Sequence, residues 1–310
     1  MDFTYGIVVP HYNSLSGLSR LLRSIPVRDD IQVIVVDDNS TERFEPQKIE
    51  QEFPMHNITF STNDSGVKGA GSSRNIGIEL LNSRYTLFAD ADDFYCEGAF
   101  ELLDSVMNNE DIVYFSPTSQ CDVTGDSSDR HFLYANLVSS YLAEKNEEIK
   151  YHFAVPWSKV YATDFIQRNR LYFDQVIASN DVMFSLVSGR KACHIAAYTT
   201  PIYCVTRGQG TLTVNFKPEV MKSRYLVEMN RINYINKHQI NTEVMSLYKI
   251  IKNFRHVMTA AEHLHAAKLL FAGEITLLPA RTYYYLKNPR ALIARISKKR
   301  DSISSQRYQA

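Results

Sequence analysis

The run IQVIVVDDNS, residues 31–40, decides how the chain folds. Its first six residues are almost unbroken apolar and β-branched, as in a strand buried on both faces of a parallel sheet. The run then stops in two aspartates, an asparagine and a serine. Outward from it the same pattern recurs. YGIVVP (5–10) runs into His11, Tyr12 and Asn13, and YTLFA (85–89) runs into Asp90-Ala91-Asp92-Asp93. Asn57 to Ser61 and Asp111 to Phe115 read as further strands. Between them lie helical patterns: Leu15, Leu18, Leu21, Leu22 and Ile25 after a capping Ser14, a short segment through Ile49 and Phe53, then 70–81 and 99–107. Alternating strands and helices predict an α/β fold, Rossmann-like, with a mostly parallel central sheet flanked by helices. Right-handed crossovers would bring the strand C-termini to one edge, where open α/β sheets bind ligands.

Downstream the pattern is mixed. Residues 116–129 read as a polar loop, 131–145 and 181–189 as helices, the chain around Pro156 and Trp157 as irregular, and 193–206 as short strands. From Lys217 to Gly273 the chain reads as wholly helical.

The 310 residues are 45% hydrophobic and 22% charged, which suits a globular protein with its own core. Net charge is zero, which argues against a general nucleic-acid binder. The segment 281–310 is different, with eight Lys or Arg against Asp301 alone, so the rest of the chain carries a net −7. Four cysteines lack metal-binding or C-x-x-C spacing and read as free thiols of a reducing compartment. No signal-peptide pattern is read at the N-terminus and no membrane-length apolar run, so a cytoplasmic location is expected.

One acidic cluster after a strand suits a helix N-cap. Three on one sheet edge favour a ligand site, because crowded carboxylates repel unless a cation or hydrogen-bond donors lie among them. FADADDFY (88–95) is the strongest signal, since carboxylates one residue apart can converge on a hard cation such as Mn²⁺ or Mg²⁺. A pyrophosphate would complete the oxygen shell. GVKGAGSSRNIG (66–77) is not a dinucleotide fingerprint, because Ser72, Ser73 and Arg74 stand where a third glycine is needed. It still offers small residues before a helix N-terminus and a guanidinium, Arg74, both suited to phosphate.

IVVPHYN (7–13), VIVVDDNS (33–40), GAGSSRNIGI (69–78) and LFADADD (87–93) together resemble glycosyltransferase family 2, whose members have the GT-A fold. PWSKVY (156–161) resembles a segment of its capsule- and lipopolysaccharide-building members, SNDVMF (179–184) the family's E-D-x-x-F motif, and IYCVTRGQGTLT (202–213) its Tyr/Arg-containing segment. The resemblance implies a nucleotide-sugar-binding half over 1–115, an acceptor-side half over 116–215 and a helical C-terminal extension over 216–310. It implies that Pro10, Tyr12 and Asn13 line the nucleoside pocket, that Asp38 bonds the base (uracil), and that Arg74 contacts the nucleotide. Asp90 would face the ribose or the metal's water shell, Asp92 would ligate the metal, and Asp93 would support both. Trp157 and Lys159 would shape the donor-sugar or acceptor site, and Asp181 would be the general base of an inverting, metal-dependent transfer. The donor implied is a UDP-hexose or UDP-N-acetylhexosamine, and the acceptor a saccharide or lipid-linked saccharide. Asn180 stands where the family usually has Glu, and the loss of a like charge is expected to lower the Asp181 pKa.

Two other readings stay open on the residues. A sugar nucleotidyltransferase usually has a basic, glycine-rich signature after its first strand, whereas PHYNSLSG follows here. A non-catalytic carbohydrate- or nucleotide-binding module has no need of both DADD and a separate downstream acid. In RALIARISKKR (290–300), Leu292, Ile293 and Ile296 would share one helix face, so the basic tail reads either as a peripheral contact with the cytoplasmic face of the inner membrane or as an ordinary exposed basic tail.

Overall fold

A computed structural model describes residues 2–42, 44–207 and 216–290. The first elements are β1 (Phe3–His11), α1 (Leu15–Arg23), β2 (Ile31–Asp37), α2 (Pro46–Glu52), β3 (Asn57–Thr62), α3 (Ala70–Glu79), β4 (Ser83–Phe88), β5 (Phe94–Tyr95) and α4 (Ala99–Val106). Then come β6 (Ile112–Phe115), β7 (Thr118–Cys121), α5 (Phe132–Glu144), α6 (Ile149–His152), β8 (Lys159–Ala162), α7 (Thr163–Arg168), α8 (Asn180–Lys191), β9 (Ile195–Tyr198) and β10 (Tyr203–Arg207). Four helices follow: α9 (Pro218–Lys237), α10 (Leu247–Phe254), α11 (Ala260–Phe271) and α12 (Ala280–Lys287). The chain divides into two compact units after Val227, within α9 and past the boundary expected at 215.

The first unit holds a sheet of order β3-β2-β1-β4-β8-β6-β9. β1 pairs in parallel with β2 and β4, and β2 with β3, so these four strands end at one edge as expected. β8 is the exception and runs antiparallel between β4 and β6. The near-continuous apolar strands are explained by two cores, one on each face. Ile7, Val9, Val33 and Val35 point into one, and Val8, Ile34 and Val36 into the other. Alternation within an all-apolar run is what a doubly covered sheet demands.

A smaller sheet, β5-β10-β7, is built from short pieces. It corrects the reading of 116–129 as loop, because Thr118–Cys121 forms β7. TSQC has no apolar pattern of its own. It becomes a strand by pairing in parallel with β10, more than eighty residues away. The second unit is helical but not continuously so. α9 gives way after Lys237, with Gln239 at φ 51°, and α10 and α11 follow the N-caps Ser246 and Thr259. Ser246 accepts from the Lys249 N–H, and Thr259 with Glu262 forms a reciprocal capping box. The amphipathic reading of 290–300 lies outside the described residues apart from Arg290. Among the described residues no helix is long and apolar enough to cross a membrane.

Candidate active site

The three strand-end clusters do meet. A cleft of about 770 Å³ is lined by Pro10, Tyr12, Asp38, Arg74, Asp90, Asp92, Trp157 and Asp181 among others. At the end of β1 the buried His11 ring meets Asp37 through Nδ1, 2.9 Å from Oδ1. Asp37 also accepts from the Ser40 N–H (3.0 Å) and hydroxyl (2.5 Å), which folds the β2 exit into a turn. Burial works to raise the Asp37 pKa, but Ser40 and His11 outweigh it and hold the carboxyl below its ordinary value. Asn13 and Asn39 take φ of 48° and 55°, a left-handed conformation that asparagine tolerates better than most residues. Asn13 does not line the cleft. It ties the loops, donating to the Thr41 hydroxyl (2.7 Å) and accepting from the Glu42 N–H (3.0 Å). Asp38 is fixed by the Asn63 amide (2.6 Å) and the Gly69 N–H (3.0 Å), both donating to Oδ1.

The loop after β4 carries the acids. Asp90, Asp92 and Asp93 each offer a carboxylate oxygen, and these lie within 4.8 Å of one another. α1 can approach this loop because Gly17 has no side chain, since a Cβ there would lie 2.7 Å from the Ala91 carbonyl and 3.0 Å from Asp92 Cα. Asp93 is buried beneath the loop. Its Oδ2 accepts from the Tyr203 hydroxyl (3.0 Å) and its Oδ1 from the Thr206 N–H (2.7 Å). The Asp92 carbonyl accepts from the Thr206 hydroxyl (2.6 Å) and from the Arg20 guanidinium. Burial, then the Asp90 charge, raises the Asp92 pKa. Burial with both neighbouring acids raises that of Asp93 well above its usual range.

Such crowding fits an oxygen-preferring divalent cation, because only oxygens converge and a positive charge would relieve their repulsion. Both Asp93 oxygens are engaged by β10 and Asp90 Oδ1 by the Arg74 guanidinium, so Asp92 and the second oxygen of Asp90 are the positions that could hold it.

Asp181 reaches the cleft from the first turn of α8. Ser179 before it has φ 63°, an uncommon conformation for a serine that turns the chain into the helix. Arg74, 5% exposed, bridges the two sides, donating from one terminal nitrogen to Asp90 Oδ1 (2.5 Å) and from the other to Asn180 Oδ1 (2.7 Å). Burial raises the Asp181 pKa, while the Arg74 and Lys159 charges pull the other way. The expected lowering through Asn180 is therefore overridden by desolvation. Asn180 acts instead as a neutral acceptor for Arg74.

Trp157 and Lys159 part company. Trp157 lines the cleft and stacks on Tyr203, centroids 5.9 Å apart and planes 15° from parallel. Lys159 does not line it. Its side chain points into the core, where Nζ donates to the Phe153 carbonyl (2.8 Å) and the Ser185 hydroxyl (3.3 Å). A motif lysine on a strand flanked by Val160 and Tyr161 belongs to the sheet, and its face was not legible without the antiparallel register.

The sequence model of the family described as "Glycosyl transferase family 2" matches residues 6–170, more than half of the chain. The chain belongs to glycosyltransferase family 2. Among family relatives, the poly(ribitol-phosphate) β-N-acetylglucosaminyltransferase TarS of Staphylococcus aureus is 24% identical over 208 residues, covering 64% of this chain but 35% of TarS. The minor teichoic acid biosynthesis protein GgaB of Bacillus subtilis is 31% identical over 122 residues, 36% of this chain and 13% of GgaB. The chain thus spans about a third or less of these two relatives. The glycosyltransferase YibD of Escherichia coli is 23% identical over 262 residues, 76% of this chain and 74% of that protein. In fold, the chain is similar to S. aureus TarS 1–349 in complex with UDP-GlcNAc, with a TM-score of 0.60, 20% identity, and 86% and 80% of the two chains covered. It is also similar to the mannosyltransferase PcManGT of Pyrobaculum calidifontis in complex with GDP-Man and Mn²⁺, at a TM-score of 0.53 and 15% identity, covering 93% and 80%. These likenesses establish the GT-A fold expected from the sequence.

Residues the sequence reading passed over complete the site. Arg130 lines the cleft and donates to the Thr206 carbonyl (2.6 Å). Tyr134 and Arg224 also line it. Arg130 lies in the turn before α5, Tyr134 on α5 and Arg224 on α9, none within a motif, so composition and spacing gave no signal for them.

Proposed function

We propose that the protein is a metal-dependent inverting glycosyltransferase that moves a sugar from a nucleoside-diphosphate donor to a hydroxyl of a glycan or lipid-linked saccharide. The observation that carries this reading is that one cleft holds the Asp90–Asp92 pair and, on a separate element, Asp181. Asp38 and Tyr12 are assigned to the nucleoside, and UDP is preferred because a TarS structure holds UDP-GlcNAc. The donor sugar is taken to be a hexose or N-acetylhexosamine, and the product a surface polysaccharide, in keeping with the teichoic acid relatives.

In this mechanism the donor lies along the cleft with its diphosphate at Asp90 and Asp92 and its sugar toward Trp157. A divalent cation bound there, Mn²⁺ or Mg²⁺, would supply positive charge for the departing diphosphate, an effect worth several kcal/mol. Arg74 holds Asp90 and the start of α8 at a fixed separation, so orientation contributes to the rate. Asp181 accepts the proton of the acceptor hydroxyl as that oxygen attacks the anomeric carbon from the face opposite the diphosphate. Burial raises its pKa, which makes it a better base than a free carboxylate. A single displacement inverts the anomeric centre, and no sugar–enzyme bond forms.

A panel of nucleotide sugars incubated with the protein and Mn²⁺ tests this. The expected result is slow release of nucleoside diphosphate from one donor. Release of pyrophosphate instead would indicate a nucleotidyltransferase, and sugar binding with no need of nucleotide or metal would indicate a binding module. The proposed location is cytoplasmic, with the basic 281–310 segment against the inner membrane. Truncation after Gly273 should then abolish co-sedimentation with anionic vesicles.

A further inference from the structure

We propose that Tyr203 is a positioning residue that sets the geometry of the acidic loop through its hydroxyl, with Thr206 as its partner and Trp157 as the cleft-side support. The inference rests on the reading of Asp90 and Asp92 as cation-holding residues. The Tyr203 hydroxyl does two things at once. It accepts from the Asp90 N–H (2.8 Å) and donates to Asp93 Oδ2 (3.0 Å). One oxygen therefore fixes both ends of the loop 90–93. Thr206, three residues on in β10, repeats the arrangement, donating its hydroxyl to the Asp92 carbonyl (2.6 Å) and its N–H to Asp93 Oδ1 (2.7 Å). Every residue of the loop that carries a carboxylate is thus held by β10, which belongs to the other half of the first unit.

The ring has its own role. Tyr203 is fully buried, stacked on Trp157 on one side and edge-on to Tyr95 (5.4 Å) on another. Trp157 in turn lines the cleft. A stacked pair thereby links the wall of the cleft to the floor that holds the carboxylates. Groups that hold metal-ligating carboxylates through hydrogen bonds typically change metal affinity by about 10- to 100-fold when removed. Tyr203 has the same relation to Asp90 and Asp93. Its phenylalanine variant keeps the ring stack and loses only the hydroxyl, so a change in Tyr203→Phe reports on the two hydrogen bonds.

The test is Mn²⁺ titration of the full chain, followed by electron paramagnetic resonance, with and without UDP. Separate calorimetry measures UDP binding in excess chelator. Tyr203→Phe is expected to weaken Mn²⁺ binding about tenfold or more, with metal-free UDP binding unchanged. Thr206→Val is expected to do the same and stands in if Tyr203→Phe fails to fold. Mn²⁺ affinity equal to that of the unaltered protein in a folded variant would overturn the proposal, as would an equal loss of metal-free UDP binding, which marks a general defect. If the unaltered protein binds no Mn²⁺ even with UDP, the proposed function falls first and this inference with it.

Discussion

Replacing Lys159 with methionine should change how stability depends on pH. The Lys159 amine is buried, donates to the Phe153 carbonyl and the Ser185 hydroxyl, and is ringed by Tyr114, Phe153 and Tyr161 at 5.0–5.7 Å. Burial pushes its pKa down from 10.5 to about 7, with the Asp181 charge opposing the shift. A lysine whose folded value lies below its unfolded value binds fewer protons folded than unfolded, so stability rises with pH across the interval between them. Below about 7 the destabilisation is fully present, and it is relieved as pH climbs toward 10.5. With about 1.36 kcal/mol per unit, the amine opposes folding by on the order of 5 kcal/mol near pH 6.5 and about 1.5 near pH 9.5. Methionine fills a similar volume without titrating, and the hydrogen bonds it loses do not vary over this range. The stability of Lys159→Met relative to the parent should therefore fall by about 3 kcal/mol between those two pH values. Urea melts read through Trp157, the sole tryptophan and a core residue of the same unit, measure it directly. A difference that stays constant within about 1 kcal/mol would refute a titrating, buried amine.

Three further outcomes follow from the same structure. Gly71→Ala places a Cβ 2.2 Å from the Asp174 carbonyl and 2.9 Å from Asn180 Cβ, so it should cost about 1–3 kcal/mol and weaken UDP binding by displacing Arg74's partner, as melting and calorimetry would register. Asp37→Asn should lower stability at neutral pH by about 1–3 kcal/mol. Because the Asp37 folded pKa is depressed, its contribution is present above about pH 4 and lost as pH falls through the folded value, so parent and variant should converge in acid melts and stay apart at neutrality. Excess chelator should stop transfer, with Mn²⁺ or Mg²⁺ restoring it, and full activity in chelator would remove the cation from the account.

Much of the nucleotide side was legible in the sequence, for a physical reason. Strands buried on both faces must be apolar throughout, so IVVP and VIVV stand out, and the polar residues after them fall at one edge by topology alone. The acceptor side was harder to read. β8 is wedged antiparallel into the parallel sheet, and only that register reveals that Lys159 faces the core while Trp157, two residues earlier, reaches the cleft. β7 exists because β10 pairs with it, and its own TSQC carries no strand signal. Tyr203 stood in the family-like segment IYCVTRGQGTLT, but its role was not legible, since it lies in two hydrogen bonds to a loop over a hundred residues away. Arg130 and Tyr134 were missed for the same reason. Non-local contacts leave no local pattern.

The most direct test of the central claim is turnover by Asp181→Asn with the donor found in the nucleotide-sugar panel, alongside its affinity for UDP. Loss of the base is expected to lower kcat by about 10²- to 10⁴-fold, with UDP binding as tight as in the parent. Turnover at the parental rate would contradict the account.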